Sequence, residues 1–496
     1  MTPRKGQLLK GGTTLIVGEM VAQFCGLLRN FLVARVIAPD QFGIAAALAM
    51  SISLVEMLSD LGAGRFLTRS HGEDGNAWLD VANGISMIRG AVGGLLLVLL
   101  AGPLASLMKM PEATWAFRMV GIVPLLRGFT HNQIWLAQRE LRFKAFITAQ
   151  ALPQIVTTLA ALPMAWWLND FRALLWLLIA NAALSVALSH VVARKPYRLA
   201  YDRAKFKQLL TFGLPLLADG ALMFVVLHGE RIVIANTYGK ELLGAYSAAF
   251  LLAWTPAAII GRVGLSLGVP QLASLRNDRP ARNRQFATGV RLLAAPALGM
   301  AVLFGFAGND FVGAIFGDEY HLTAAFAAWL GIGQAIRILR TFPTVIAVAE
   351  GFTLSPMFGN IARAAAVGLG LALAKSGSQA WIVLAVGASG EALALAISLA
   401  FNHRKLAAPA TPLLLPFLAV GLGFVGAWWL GNSTPLADLS VVLRAGLGVT
   451  LGGTAALGVL ALDPHARELV ARFLKLHPPT SPMTTTPEPC ATNESK

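Results

Sequence analysis

Long apolar runs follow one another along the whole chain, each closed by a short cluster of charged residues, glycine or proline. At ~1.5 Å of rise per helical residue, about 18 to 20 apolar residues cross a hydrocarbon layer of ~30 Å. Read this way, the pattern predicts about fourteen spans, near 12–37, 42–63, 81–107, 115–137, 146–168, 172–193, 209–236, 242–272, 287–307, 322–346, 355–374, 379–401, 413–431 and 439–462. The expected fold is all-α, a polytopic membrane protein. An even number of spans returns both termini to one side.

Composition narrows the class further. Hydrophobic residues make up 56% of the 496 positions and charged residues 13%, which excludes a soluble domain. Cys25 lies in an apolar run and Cys490 in the polar tail, so no disulfide is expected, and no Cys/His spacing suggests a metal. The apolar segment behind the basic start "MTPRKGQLLKGG" is too long for a signal-peptide core and reads as a retained first helix.

The basic residues alternate by loop. One side collects Arg4, Lys5, Lys10, Arg65, Arg69, Arg139, Arg142 and Lys144, the run Arg194 to Lys207, the run Arg276 to Arg291, Arg404, Lys405, Arg467, Arg472 and Lys475. Lys109, Arg172, Lys240 and Lys375 fall on the other. Cytoplasmic loops retain Lys and Arg, so both termini are expected in the cytoplasm. The net charge of +15 is then explained by topology and contact with anionic lipid, with no nucleic acid partner.

A weak internal repeat appears at an offset of 201 positions. "LVARVIAPDQFGIAAA" from Leu32 overlies "VIANTYGKELLGAYSAA" from Val233, aligning Asp40 with Glu241 and Gly43 with Gly244. The predicted organisation is a six-helix lobe at 1–200, a second at 201–405, two further transmembrane helices at 406–462, and a Pro/Thr-rich tail at 463–496 expected to be disordered. Parallel-repeat transporters carry their substrate path between such lobes.

Several stretches resemble the polysaccharide flippases (Wzx-like) of the multidrug/oligosaccharidyl-lipid/polysaccharide exporter superfamily. They are "LLRNFLVARVIAPDQFGIAAA" and "LSDLGAGRFLTRS" in the first half, "QRELRFKAFI" after the fourth span, and "FGLPLLADG", "GAYSAAF" and "PQLASL" in the second half. The resemblance covers most of residues 8–405. It implies translocation of an undecaprenyl-pyrophosphate-linked oligosaccharide across a bacterial inner membrane by alternating access, for export of exopolysaccharide, capsule or O-antigen. A polysaccharide polymerase and a chain-length regulator are the implied partners.

Charges inside the spans lead to the same place from cost. A charge at mid-membrane is unfavourable by ~2.5 to 3.5 kcal/mol even on insertion scales, so such residues tend to line cavities. Arginine dominates them, and a guanidinium binds phosphate oxygens bidentately while keeping its charge where lysine would lose it. Arg29, Arg89, Arg127, Arg231 and Arg262 are therefore the candidate pyrophosphate ligands. Arg118, Arg340, Arg363 and Arg444 are read instead as reaching a span end or neutralising acids.

No nucleotide-binding G-x-x-x-x-G-K-[ST] motif is present, which points to secondary transport with no bound cofactor. H+ or Na+ coupling would need a carboxylate buried in one state and hydrated in the other. Asp219, Glu19 and Glu56 are the candidates. Of the two acids in "ISLVEMLSDLGAGRF", Asp60 should order the helix end, and Glu56, a turn deeper, should balance a cavity arginine. A cation-coupled multidrug exporter of the same superfamily is the alternative. A polymerase or ligase is disfavoured by short outer loops and the absence of a histidine–acid cluster at catalytic spacing.

Overall fold

A computed structural model describes residues 3–69, 74–139, 143–352, 354–433, 436 and 439–462, and they are helical with no strand among them. The first half of the chain contributes α1 (Pro3–Ala34), α2 (Pro39–Ser59), α3 (Ala63–Arg69), α4 (Asp74–Leu107), α5 (Thr114–Met119), α6 (Ile122–Gly128), α7 (Gln133–Arg139), α8 (Phe143–Leu159), α9 (Ala161–Leu168) and α10 (Arg172–Val191). The second contributes α11 (Arg203–Tyr238), α12 (Lys240–Ser274), α13 (Arg279–Phe316), α14 (Ala324–Leu339), α15 (Thr341–Ala349), α16 (Leu354–Lys375) and α17 (Ala380–Leu406). Then come α18 (Thr411–Gly431) and α19 (Val441–Leu462), which both pack along α13. The tail expected after residue 462 lies outside the described residues.

Eleven described helices are long and apolar enough to cross a membrane, and twelve if the α8–α9 pair, bent by 43°, is one span. The sequence pattern predicts fourteen; the first and fourth fall short. In α1 the apolar stretch among the described residues is Met20–Ala34. The fourth is broken into α5, α6 and α7, with interruptions at Val120–Gly121 and Phe129–Asn132.

A break at membrane depth frees backbone amides that lipid cannot satisfy. Here side chains take them. The His131 amide donates to Ser189 Oγ at 2.9 Å and the Asn132 amide to Asn83 Oδ1 at 3.1 Å. The Gln133 amide donates to His131 Nδ1 at 3.2 Å.

The same region ties down the connection between α10 and α11. Gln133 Oε1 accepts from the Arg194 and Lys195 amides at 2.8 and 2.9 Å, and Asn83 Nδ2 donates to the Arg198 carbonyl at 3.2 Å. The Ala200 amide reaches the Asp80 carbonyl at 3.1 Å. Asp202 then caps α11, accepting from the Ala204 and Lys205 amides at 2.9 and 3.1 Å.

The two halves meet where α2 and α12 begin. A Cβ on Gly43 would run into the Lys240 carbonyl oxygen, and one on Gly244 into the Pro39 carbonyl oxygen. Both pairs are related by the offset of 201 seen in the sequence, so the two helices cross reciprocally, backbone against backbone. Beside the crossing, Lys240 Nζ lies 2.7 Å from Glu112 and 3.8 Å from Asp40. Tyr320 Oη donates to the Ile37 carbonyl at 2.9 Å, and Arg35 donates to the Ala314 carbonyl at 3.0 Å. A continuous core including Phe42, Leu48, Tyr246, Phe316 and Phe326 fills this end.

Candidate functional site

Three clefts open around α1, α8 and α12. One of about 460 Å³, with polar groups set among apolar walls, is lined by Arg29 and Asn30 from α1, Gln150 and Gln154 from α8, Trp254 and Arg262 from α12, and Trp135 from α7. A second, of about 260 Å³, is lined by Arg89 from α4, Arg127 from α6, and Asn181 and Ser185 from α10; it shares Trp135, Gln150 and Gln154 with the first. The third, about 530 Å³, is almost wholly apolar, running along Ile259, Val263, Val269 and Val348, and shares Gln23 and Arg262 with the first. Arg262 therefore stands at the seam between polar and apolar walls.

Arg29 is only 8% exposed. Its Nη1 donates to Gln154 Oε1 at 3.0 Å and Thr157 Oγ1 at 3.3 Å, while Nε has no hydrogen-bond partner. Among the described residues no carboxylate lies within ion-pair distance of it. Thr157 and Gln154 face it because they follow one another by three positions on α8, which packs along α1. A buried cation held by neutral amide and hydroxyl oxygens keeps its charge available to whatever enters the cleft.

The other cavity arginines are differently placed. Arg127 donates to Glu56 in a close ion pair. Arg89 lies 3.4 Å from Asp60, whose Oδ1 also accepts from the Gly62 amide at 3.0 Å and so ends α2. Glu56 thus has an arginine as its immediate partner. Four of the five predicted arginines, Arg29, Arg89, Arg127 and Arg262, are gathered around the two joined polar clefts.

Arg231 is not brought there. It packs half-buried over the ring of Phe250, with its guanidinium carbon 4.2 Å from the centroid. Asp219 lies on the exposed side of α11 and lines none of the three clefts. Glu19 is on α1, but its side chain lies outside the described residues.

Sequence reasoning missed the amides and indoles of the polar cleft. A separate charged cluster lies in the second half, where Glu391 on α17 lies 2.6 Å from Arg337, 2.7 Å from Arg363 and 3.5 Å from Arg340, so Arg340 and Arg363, read from the sequence as reaching a span end or neutralising acids, do face an acid. Beside it Glu230 accepts a 2.8 Å hydrogen bond from Tyr246 Oη, around a void of about 30 Å³. One signal for this cluster was present: four arginines and acids at i, i+3 and across spans 10 to 12, in runs otherwise apolar.

Comparison with known proteins adds a lineage. Residues 32–325 match the family described as "Polysaccharide biosynthesis protein". The chain is 25% identical over 296 residues, 55% of its length, to the succinoglycan biosynthesis transport protein ExoT of Rhizobium meliloti. It is 25% identical over 325 residues, 62% of its length, to the lipopolysaccharide biosynthesis protein WzxC of Escherichia coli. The matched region spans 58% and 62% of those two relatives' own lengths. Among solved structures, the lipid II flippase MurJ in an inward closed conformation superposes with a TM-score of 0.70 at 12% identity, covering 92% of this chain and 99% of that one. At that identity the likeness is one of fold.

Proposed function

Because the chain belongs to the polysaccharide biosynthesis protein family, we propose that it flips an undecaprenyl-pyrophosphate-linked oligosaccharide across the bacterial inner membrane, as a transporter with no enzymatic step. One observation carries this assignment: a buried Arg29, with no carboxylate within ion-pair distance among the described residues, faces a cleft that other arginines share. A pyrophosphate supplies the oxygens such a guanidinium binds in pairs. The apolar cleft meeting the polar one at Arg262 is the shape an amphiphile needs, with its charged group at the seam and its isoprenoid chain along α12.

Two pseudo-repeated lobes rocking about the crossing of α2 and α12 give alternating access; the reciprocal Gly43 and Gly244 contacts at an offset of 201 favour that division. The distribution of Lys and Arg favours cytoplasmic termini, which puts the Lys240 end of the bundle outside. A surface-polysaccharide polymerase and chain-length regulator would take over the translocated lipid.

The test is a deletion strain of the source bacterium. It should accumulate undecaprenyl-linked repeat units on the cytoplasmic leaflet and lose surface polysaccharide. The wild-type gene restores the polymer, Arg29→Ala fails to, and Arg29→Lys restores it only in part because an ammonium lacks the planar fork. Unchanged surface polymer in a deletion strain with no second transporter would sink the assignment.

A further inference from the structure

The polar cleft holds two indoles as well as its arginines. Trp135 lines both polar clefts from the first half of the chain, and Trp254 lines the larger one from α12 in the second half. Both are half-buried. They differ from Trp166, Trp167 and Trp429, which are 66%, 81% and 72% exposed on the outside of the bundle, where interfacial anchors belong.

Both rings are held from behind. Trp254 stacks on Phe250, one helical turn back, with centroids 6.1 Å apart and planes within 16°. Phe250 in turn packs 5.8 Å from Tyr246 and carries the Arg231 guanidinium. On the other side, a Cβ at Gly64 would fall 2.6 Å from Cε2 of Trp135, so the backbone of α3 lies directly against that indole. The side-chain amides of Asn30, Gln150 and Gln154 border the same space. Asn30 Nδ2 donates to the Gly26 carbonyl at 2.8 Å and Gln154 Oε1 accepts from Arg29, which leaves the Asn30 oxygen and the Gln154 nitrogen, with the Gln150 amide, for adjacent sugar hydroxyls.

We propose that Trp135 and Trp254 form a saccharide-stacking subsite that takes a pyranose ring next to the pyrophosphate held by Arg29. The face of an indole is electron-rich, and the C–H face of a pyranose presents weakly positive hydrogens over a flat apolar patch. Stacking leaves the equatorial hydroxyls at the ring edge, where the amides stand. The cleft's volume of about 460 Å³ falls within the ~300–1,000 Å³ of small-molecule sites, enough for sugar rings beside the pyrophosphate. The subsite rests on the flippase assignment, and it adds that the sugar, not only the lipid phosphate, is read.

The test uses the full chain in lipid nanodiscs and two probes, undecaprenyl pyrophosphate and undecaprenyl pyrophosphate carrying a glucose-containing disaccharide. Wild type should bind the glycosylated lipid more tightly than the bare one. Trp254→Leu and Trp135→Leu should weaken the glycosylated lipid by ~10-fold, at the upper end of what one aromatic contact contributes, and the bare lipid by less than about twofold. Trp254→Phe should keep most of the preference. Bare-lipid binding doubles as the check that each variant is folded. Equal losses for both lipids, unchanged binding of both, or no sugar preference in the wild type overturns the subsite and leaves the pyrophosphate assignment standing. A wild-type protein that binds neither lipid overturns both.

Discussion

Glu391 is surrounded by Arg337, Arg340 and Arg363, all within 3.5 Å. Removing the Glu391 carboxylate leaves three largely buried guanidiniums without the acid that pairs them, and breaking a buried ion pair from one side costs about 3–5 kcal/mol. Glu391→Gln should therefore lower the thermal unfolding midpoint sharply, and Glu391→Gln combined with Arg363→Met should recover part of the loss. A single variant as stable as wild type, by thermal unfolding in detergent, would contradict the cluster's structural role. At this scale the sequence speaks unevenly. A charge in an apolar run stands out, which is why Arg29, Arg89 and Arg127 are legible as cavity residues. Gln150, Gln154 and Trp135 are not, since uncharged amides and indoles occur throughout membrane helices without special purpose. Arg231 looks equivalent to Arg29 in the sequence. What separates them is Phe250, a partner on another helix that no local pattern reveals.

Among the elements, α2 and α12 depend on having no side chain at their crossing. A Cβ at Gly43 or Gly244 meets a carbonyl oxygen of the other helix, and backbone cannot move aside as a rotamer can. Gly43→Ala and Gly244→Ala should each push the helices apart at this end, at a cost of ~1–3 kcal/mol, and lengthen the distance between spin labels on α2 and α12. Gly421→Ala on α18, where a Cβ meets nothing within 4 Å, is the matched control and should leave the distance unchanged. Identical distances in all three variants would count against a tight crossing. The sequence aligns Gly43 with Gly244 at an offset of 201 as a repeat, but that the two helices meet there is seen only in the structure. The division of the fourth span into α5, α6 and α7 it hides, because the apolar pattern of 115–137 runs through the break and the side chains that satisfy the freed amides, Asn83 and Ser189, lie far away in sequence.

For the molecule as a whole, the Lys240 end is held by charge as well as by close packing. Glu112, outside the spans, has its carboxyl held below the ordinary value of 4.5 chiefly by the hydrogen bond from Lys240. A depressed carboxylate pKa contributes stability that is present at and above the ordinary value and is lost as pH falls through the lower folded value. Acidification below about pH 4.5 should therefore loosen this end, and Lys240→Ala should loosen it already at pH 7. Accessibility of an introduced cysteine near Asp40 to a membrane-impermeant thiol reagent reads both. Because Glu112 is half exposed, high salt should mimic part of the effect. No change with pH, salt or Lys240→Ala would remove the clasp. Fold class is the most legible level, since the apolar pattern is spread over the whole chain and survives local surprises such as the broken fourth span.

The anchored connection between α10 and α11 has a mechanical consequence. Residues 194 to 200 are bonded to α4 through Asn83 and Asp80, to the start of α7 through Gln133, and to the break before α7 through His131. Asp202 is already fastened to the first turn of α11. The covalent link between the two halves is thus short, with Tyr201 between a strap bonded to the first half and the 36-residue α11. Such a link allows almost no slack, so displacement of the pieces around the broken fourth segment would be felt directly at the base of α11.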